Sequence, residues 1–118
     1  MKLANVIAAV TLMAVSSIQA HAGALQEILS SGTLKVGTTG DWNPMTMKDA
    51  ATNSYTGYDI DVMTQLAADM GVELELVPTE GKTLVAGVTA GKYHMTGSAS
   101  VSPARAKATG YSISYFSL

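Results

Sequence analysis

Apolar and polar residues alternate along two short stretches of the chain. Residues 33–38 place Leu34 and Val36 on the same side, which predicts a strand with one buried face. Residues 72–77 alternate just as cleanly, and Pro78 follows them. Because proline cannot donate to a strand ladder, the second predicted strand stops there.

Between these strands lies the clearest helical pattern, at residues 59–70, followed by Gly71 as a typical helix-ending residue. Asp59 and Asp61 fall in its first turn, where carboxylates cap free N–H groups and complement the helix dipole. No histidine or cysteine converges on them, so capping is favoured over metal binding or acid–base chemistry. The apolar positions of this predicted helix are Ile60, Met63, Leu66, Ala67 and Met70.

The other predicted elements are a leading helix at 25–29, a hairpin of 45–48 and 54–58, a helix at 83–90, a strand at 93–96, a short helix at 104–109 and a last strand at 111–116. This alternation predicts an α/β fold, with an open, mostly parallel sheet and helices on both faces. Such sheets bind ligands at the carboxyl ends of their strands. Segments 39–42 and 98–105 both follow predicted strands, so we expect them to meet at that edge.

The N-terminus has the pattern of a secretory signal peptide. A short positive start precedes an apolar run at 3–15 and an A-x-A triplet at 20–22. The apolar run is too short to cross a membrane as a helix. We expect residues 1–22 to be removed, with Ala20 and Ala24 as alternative cleavage sites and a retained anchor as the weaker alternative.

Composition agrees with export and argues against nucleic acid as a partner. The 118 residues include no cysteine, so neither disulfides nor a lipidated cysteine is expected. Without Lys2, six basic residues stand against nine acidic residues, a formal net charge of −3. The basic residues are scattered rather than clustered in the patch that nucleic-acid binding needs. A soluble periplasmic protein fits these facts.

Candidate chemistry concentrates in residues 97–105. Ser98 and Ser100 are two apart, so on extended backbone their hydroxyls would point the same way. Ser102 is a good N-cap for the helix that follows, and Arg105 falls in its first turn, where the dipole does not favour a cation. Hydroxyls, free N–H groups and a guanidinium together suit a carboxylate. The alternative is a capped turn with a solvated arginine, which only the convergence at the sheet edge disfavours.

Two further residues are considered for binding. Trp42 is the single tryptophan and lies in the loop after a strand, so ligand contact and core packing are equally supported. His94 is the one histidine of consequence beyond the leader, and a lone histidine provides neither a metal site nor a base for a nucleophile. We therefore expect no metal and no cofactor, and we assign no catalytic residue.

Several segments together resemble the bacterial extracellular solute-binding proteins of the polar amino-acid type, family 3. These are periplasmic receptors that feed ABC importers. The resemblance covers almost all of residues 23–118. The matching segments are 34–38, 41–44, 57–61, 91–93, 98–105 and 111–115.

The resemblance implies a fold of two α/β lobes that clamp the ligand, with residues 23–118 as most of the first lobe of a longer protein. It implies that Ser98, Ser100 and Arg105 hold the α-carboxylate and that Trp42 packs over the ligand side chain. The implied ligand is an amino acid or similar small carboxylate, and the implied partners are the ABC importer's membrane subunits. The full-length protein is expected to be a monomer.

A subset resemblance offers an alternative function. Residues 37–41 and 77–79 are similar to the periplasmic cyclohexadienyl dehydratases, which convert prephenate or arogenate on the same scaffold. Their substrate also carries carboxylates, so Arg105 suits both functions. The sequence departs from the usual residues of the family at His94, Ala104 and Ile113–Ser114, which lie outside the implied carboxylate contacts. The receptor is the preferred interpretation.

Overall fold

The computed structural model describes residues 23–117, so the predicted signal peptide lies outside the described residues. The chain divides into two units, the first ending at Ser31 and the second starting at Gly32. In the first unit, helix α1 (Gly23–Ser31) confirms the predicted leading helix and extends it by two residues at each end.

The second unit is built on a parallel sheet of three strands. Its elements are β1 (Thr33–Thr38), β2 (Asp41–Trp42), β3 (Thr46–Lys48), β4 (Tyr55–Thr56), α2 (Tyr58–Met70), β5 (Glu73–Pro78), α3 (Leu84–Thr89), β6 (Met95–Thr96) and α4 (Pro103–Ala108). The sheet has the order β5–β1–β6, and β1 runs parallel to both neighbours. Helix α2 packs against β1 and β5, and α3 packs against β1 and β6. The predicted α/β fold with a parallel sheet is confirmed.

The core forms around the apolar side of β1. Leu34 and Val36 are 1% and 2% exposed, as their shared side of the strand predicts. Tyr93 is also buried, and its hydroxyl donates a hydrogen bond of 2.6 Å to the first carbonyl of α3. A Cβ on Gly37 would lie 2.5 Å from the tyrosine ring, and one on Gly87 would collide with its hydroxyl. Two glycines thus make the slot that the buried tyrosine fills.

The predicted hairpin and the long helix are also confirmed. Strands β3 and β4 pair antiparallel, and β2 adds a third strand to this second sheet, so the segment predicted as a loop at 39–42 ends in a strand. Helix α2 ends at Gly71, whose φ of 70° is the left-handed conformation of a C-cap. The buried apolar residues of α2 are Ile60, Met63 and Ala67.

Two predictions about strands need correction. The strand predicted at 93–96 is shorter, because only Met95–Thr96 joins the ladder beside β1. The strand predicted at 111–116 is wrong, since this segment pairs with no strand in the described part of the chain. Tyr111 and Tyr115 instead attach individually to other elements, as described below, while Ile113 between them is 89% exposed. Within residues 23–117, no helix combines the length and apolarity needed to cross a membrane.

Candidate functional site

Strands β1 and β6 end side by side at the carboxyl edge of the parallel sheet. Gly37 pairs with Thr96, and the Thr96 hydroxyl donates a hydrogen bond of 3.0 Å to the Gly37 carbonyl. The chain continues from β1 towards Trp42 and from β6 towards Arg105. Because parallel strands end at the same edge, the two continuations meet there, as the sequence predicted.

A cavity of about 290 Å³ lies where these segments meet. Its volume is close to the lower end of ligand pockets, which span roughly 300–1,000 Å³. All four residues predicted to bind ligand line it: Trp42, Ser98, Ser100 and Arg105. The structure therefore brings the predicted set together, and their binding function remains a prediction.

Arg105 is held on the cavity wall by backbone carbonyls. Its Nη1 donates to the Ser100 carbonyl at 3.1 Å, and its Nη2 donates to the Gly81 carbonyl at 3.2 Å. The half-buried guanidinium has no carboxylate within ion-pair distance among residues 23–117. Lys82, by contrast, forms a highly exposed ion pair with Glu80. The cavity is thus lined by a fixed cation that forms no ion pair with any described carboxylate, although Asp41 and Asp59 line the same cavity.

The two serines differ in a way that the sequence did not predict. Ser98 has a φ of 53°, in the left-handed region, so the extended backbone assumed for the pair does not hold there. Its hydroxyl donates a short hydrogen bond to Oδ2 of Asp59. The Ser100 side chain is exposed and lines the cavity, while its carbonyl accepts from Arg105. Of the two serines, Ser100 is therefore the one that keeps a hydroxyl proton available to the cavity.

Asp59 is the residue that the sequence misassigned. Helix α2 is preceded by Gly57 at its N-cap, and no side chain caps its N-terminus. The Asp59 carboxylate is instead 4% exposed and accepts hydrogen bonds from Ser98 and, at 2.8 Å, from the Tyr115 hydroxyl. Burial raises the pKa of Asp59 above its ordinary value, and the Tyr115 hydrogen bond offsets part of that rise. A buried polar group needs such hydrogen-bond partners, and here they come from two segments, residues 97–105 and residues 110–116.

Residues 110–116 form one wall of a second cavity of about 510 Å³, which shares Trp42, Asp59, Ser98 and Ser100 with the first. Tyr115 stacks on Tyr58 at a centroid distance of 6.3 Å and donates its hydroxyl to Asp59. Burial, and then the adjacent Asp59 carboxylate, raise the pKa of Tyr115 well above its ordinary value. Its hydroxyl therefore stays a hydrogen-bond donor at all physiological pH values.

Trp42 and His94 occupy different environments. Trp42 is 37% exposed and lines both cavities, which argues against the core-packing alternative. The Nδ1 atom of His94 accepts a hydrogen bond of 2.9 Å from the backbone N–H of Lys35, so this histidine bridges to the neighbouring strand. In the described part of the chain, no three histidine, aspartate or glutamate side chains lie close enough together to hold a metal ion.

Sequence reasoning missed Asp59 and the two tyrosines Tyr111 and Tyr115 as parts of the site. Tyr111 donates a hydrogen bond of 3.2 Å to the same Ser100 carbonyl that accepts from Arg105. A signal was available in Gly97, which precedes Ser98, because glycine at the end of a strand often marks a close approach. A Cβ there would lie 2.6 Å from the Asp59 carboxylate.

Comparison with known proteins agrees with this architecture. A family model described as bacterial extracellular solute-binding proteins, family 3, matches residues 34–117. The cyclohexadienyl dehydratase of Pseudomonas aeruginosa is 37% identical over 83 residues, which cover 70% of this chain and 31% of that protein. The chain spans between 25% and 37% of the length of the curated relatives that it matches.

Two solved structures show the same fold. An ancestral cyclohexadienyl dehydratase superposes with a TM-score of 0.64 at 45% identity, covering 70% of this chain and 34% of that chain. The arginine-bound form of domain 1 from TmArgBP, of T. maritima, superposes with a TM-score of 0.62 at 29% identity. That comparison covers 69% of this chain and 64% of the domain. With its parallel sheet, its edge cavity and this family match, the chain belongs to the bacterial extracellular solute-binding proteins, family 3.

Proposed function

We propose that the cavity binds a small ligand by its carboxylate, and that the protein is the periplasmic substrate-binding component of an ABC importer for an amino acid or similar small carboxylate. The observation that carries the proposal is the Arg105 cation on the cavity wall, which forms no ion pair with a carboxylate of residues 23–117. Two of its five N–H donors are committed to backbone carbonyls, which leaves three for a ligand. A guanidinium fixed in this way is pre-organised for a carboxylate.

The other lining residues divide the remaining tasks. The Ser100 hydroxyl donates a second hydrogen bond to the ligand carboxylate, and Ser98 fixes the segment through Asp59 rather than donating directly. The Trp42 indole covers the apolar part of the ligand, as its exposed position on the cavity allows. The membrane subunits of the importer would receive the loaded protein after export directed by residues 1–22.

An amino acid is the favoured ligand class because a domain of similar size and fold, domain 1 from TmArgBP, has a structure in an arginine-bound form. This precedent makes binding by one such lobe physically reasonable. A single lobe leaves one side of the ligand in water, so its affinity should be below that of a closed two-lobed clamp.

Isothermal titration calorimetry with the twenty common L-amino acids tests the proposal. At least one should bind, and Arg105→Ala should weaken that binding by at least about 30-fold, because the ligand carboxylate loses the charge with which it pairs. Lys107→Ala is the matched control, since Lys107 is an exposed cation on the same helix, α4. Equal affinity in the Arg105→Ala variant would remove the assignment.

A second candidate, cyclohexadienyl dehydratase, is favoured by the 37% identity to the Pseudomonas aeruginosa enzyme. Arg105 would then bind a carboxylate of prephenate while the substrate loses water and carbon dioxide to give phenylpyruvate. Incubation of the full-length protein with prephenate distinguishes the candidates. Steady formation of phenylpyruvate supports the enzyme, and amino-acid binding without turnover supports the receptor.

A further inference from the structure

Two tyrosine hydroxyls from residues 110–116 hold the segment that carries the proposed ligand contacts. Tyr111 donates to the Ser100 carbonyl at 3.2 Å, and the same oxygen accepts from Arg105 at 3.1 Å. Tyr115 donates to Oδ1 of Asp59 at 2.8 Å. The guanidinium and the C-terminal segment therefore share an acceptor, so a shift of one changes the geometry offered to the other.

Asp59 extends this connection to the backbone of the site. Its second oxygen accepts the Ser98 hydroxyl, and it lies so close to Gly97 that a Cβ there would be 2.6 Å away. Ser98 holds a left-handed φ of 53°, a conformation that costs a non-glycine residue free energy and persists where surrounding contacts enforce it. The Asp59 hydrogen bond is such a contact, and it fixes the course of the chain towards Ser100.

We propose that Asp59, Tyr111 and Tyr115 are positioning residues, which couple carboxylate binding in the cavity to the position of residues 110–116. The proposal rests on the proposed function for the existence of a ligand. The positioning of residues 97–101 by these three side chains does not depend on that function. Coupling between two sites is reciprocal. A ligand that fixes Arg105 and Ser100 therefore also favours the hydrogen-bonded position of residues 110–116. Release of those residues should in turn weaken ligand binding.

Removal of single phenol hydroxyls tests this coupling with little change in packing. Tyr115→Phe and Tyr111→Phe should each weaken binding of the calorimetrically identified amino acid by about three- to tenfold, the equivalent of one hydrogen bond. Tyr58→Phe is the control, because Tyr58 stacks on Tyr115 but its hydroxyl makes no hydrogen bond with residues 23–117. A purely structural effect would lower the melting temperature and leave the dissociation constant at a temperature well below unfolding unchanged.

The role of Asp59 is tested by a double-mutant cycle with Ser98. Asp59→Asn should weaken binding more than either tyrosine variant, because it affects both hydrogen bonds of the carboxylate. Once Asp59 is replaced, Ser98→Ala should add little further loss, since its partner is already altered. The control is Asp61→Asn, which changes an exposed carboxylate two residues along the same helix and should leave binding within twofold.

Hydrogen–deuterium exchange of the ligand-free protein provides a second test of the proposal, which needs no ligand. Amides of residues 97–101 should exchange faster in Tyr115→Phe and Asp59→Asn than in the wild type, whereas Tyr58→Phe should match the wild type. Unchanged exchange at 97–101 together with unchanged affinity would overturn the proposal. If no amino acid or prephenate binds, the proposed function fails, and the exchange result alone decides whether these residues position the segment.

Discussion

The sheet around β1 and the segment of residues 97–116 are stabilised in different ways. Leu34 and Val36 in the sheet are almost fully buried, and their positions follow from apolar packing along β1. The segment of residues 97–116 contains the exposed side chains Val101 and Ile113, at 73% and 89% exposure. Single hydrogen bonds, such as that from Tyr115 to Asp59, hold this second region in place.

This contrast separates stability from ligand geometry. The free energy gained by burying apolar area is proportional to that area and does not depend on direction. It therefore stabilises the sheet whether or not a ligand is bound. Hydrogen bonds are directional: the buried Asp59 carboxylate holds the Ser98 hydroxyl, and the Ser100 carbonyl holds the Arg105 guanidinium. Substitutions in the sheet should therefore change the free energy of unfolding, while substitutions in the segment should change affinity.

The largest expected effect is a loss of stability in the sheet. Leu34→Ala should lower the free energy of unfolding by about 3 kcal/mol, because a fully buried leucine leaves a cavity in the core. Val101→Ala, at an exposed apolar residue of the segment, should change it by less than about 0.5 kcal/mol. Urea denaturation followed by circular dichroism measures both. Equal losses in the two variants would contradict the contrast between the regions.

An intermediate effect is expected at the junction between the two regions. Gly97→Ala places a Cβ 2.6 Å from the Asp59 carboxylate, so the segment must shift, at a cost of roughly 1–3 kcal/mol. Ligand affinity should fall with it. Gly110→Ala is the matched control, since nothing lies within 4 Å of the added Cβ. Denaturation and calorimetry on both variants check this prediction, and a Gly97→Ala protein with native affinity would refute it.

The smallest effect is a pH dependence. Because burial raises the native pKa of Asp59 above its unfolded value near 3.8, the native state retains this proton to higher pH. Its contribution to stability is thus complete below pH 3.8 and is lost as the pH rises through the raised native pKa. Asp59→Asn should remove this decline, so the difference between wild type and variant should vary with pH in that window. Denaturation series at several pH values measure it; a constant difference would argue against the buried carboxylate.

Much of the fold could be predicted because local pattern and packing agree. The alternation at Leu34 and Val36, the left-handed Gly71 after α2, and the Ser102 cap, whose hydroxyl accepts from the Arg105 N–H, all lie where the sequence placed them. Each of these features is determined by neighbours within a few residues or by simple burial. The meeting of segments after β1 and β6 followed from parallel topology alone.

The site was predictable in its residues but not in its connections. Ser98 and Arg105 were identified from their types and spacing, but the left-handed Ser98 bonds to Asp59, which lies 39 residues away in the chain. Tyr115 suggested a strand because its neighbours alternate, whereas its hydroxyl bonds to that same carboxylate. Contacts between single side chains far apart in sequence leave no periodic signal, so only the tertiary structure reveals them.

The most direct test of the central claim compares an amino-acid ligand with its carboxamide. Calorimetry on the wild type and on Arg105→Ala gives four dissociation constants. If Arg105 pairs with the ligand carboxylate, the wild type should prefer the acid over the amide by at least about 30-fold, and Arg105→Ala should lose most of that preference. An equal preference in both proteins would contradict the account, because the carboxylate would then be recognised elsewhere.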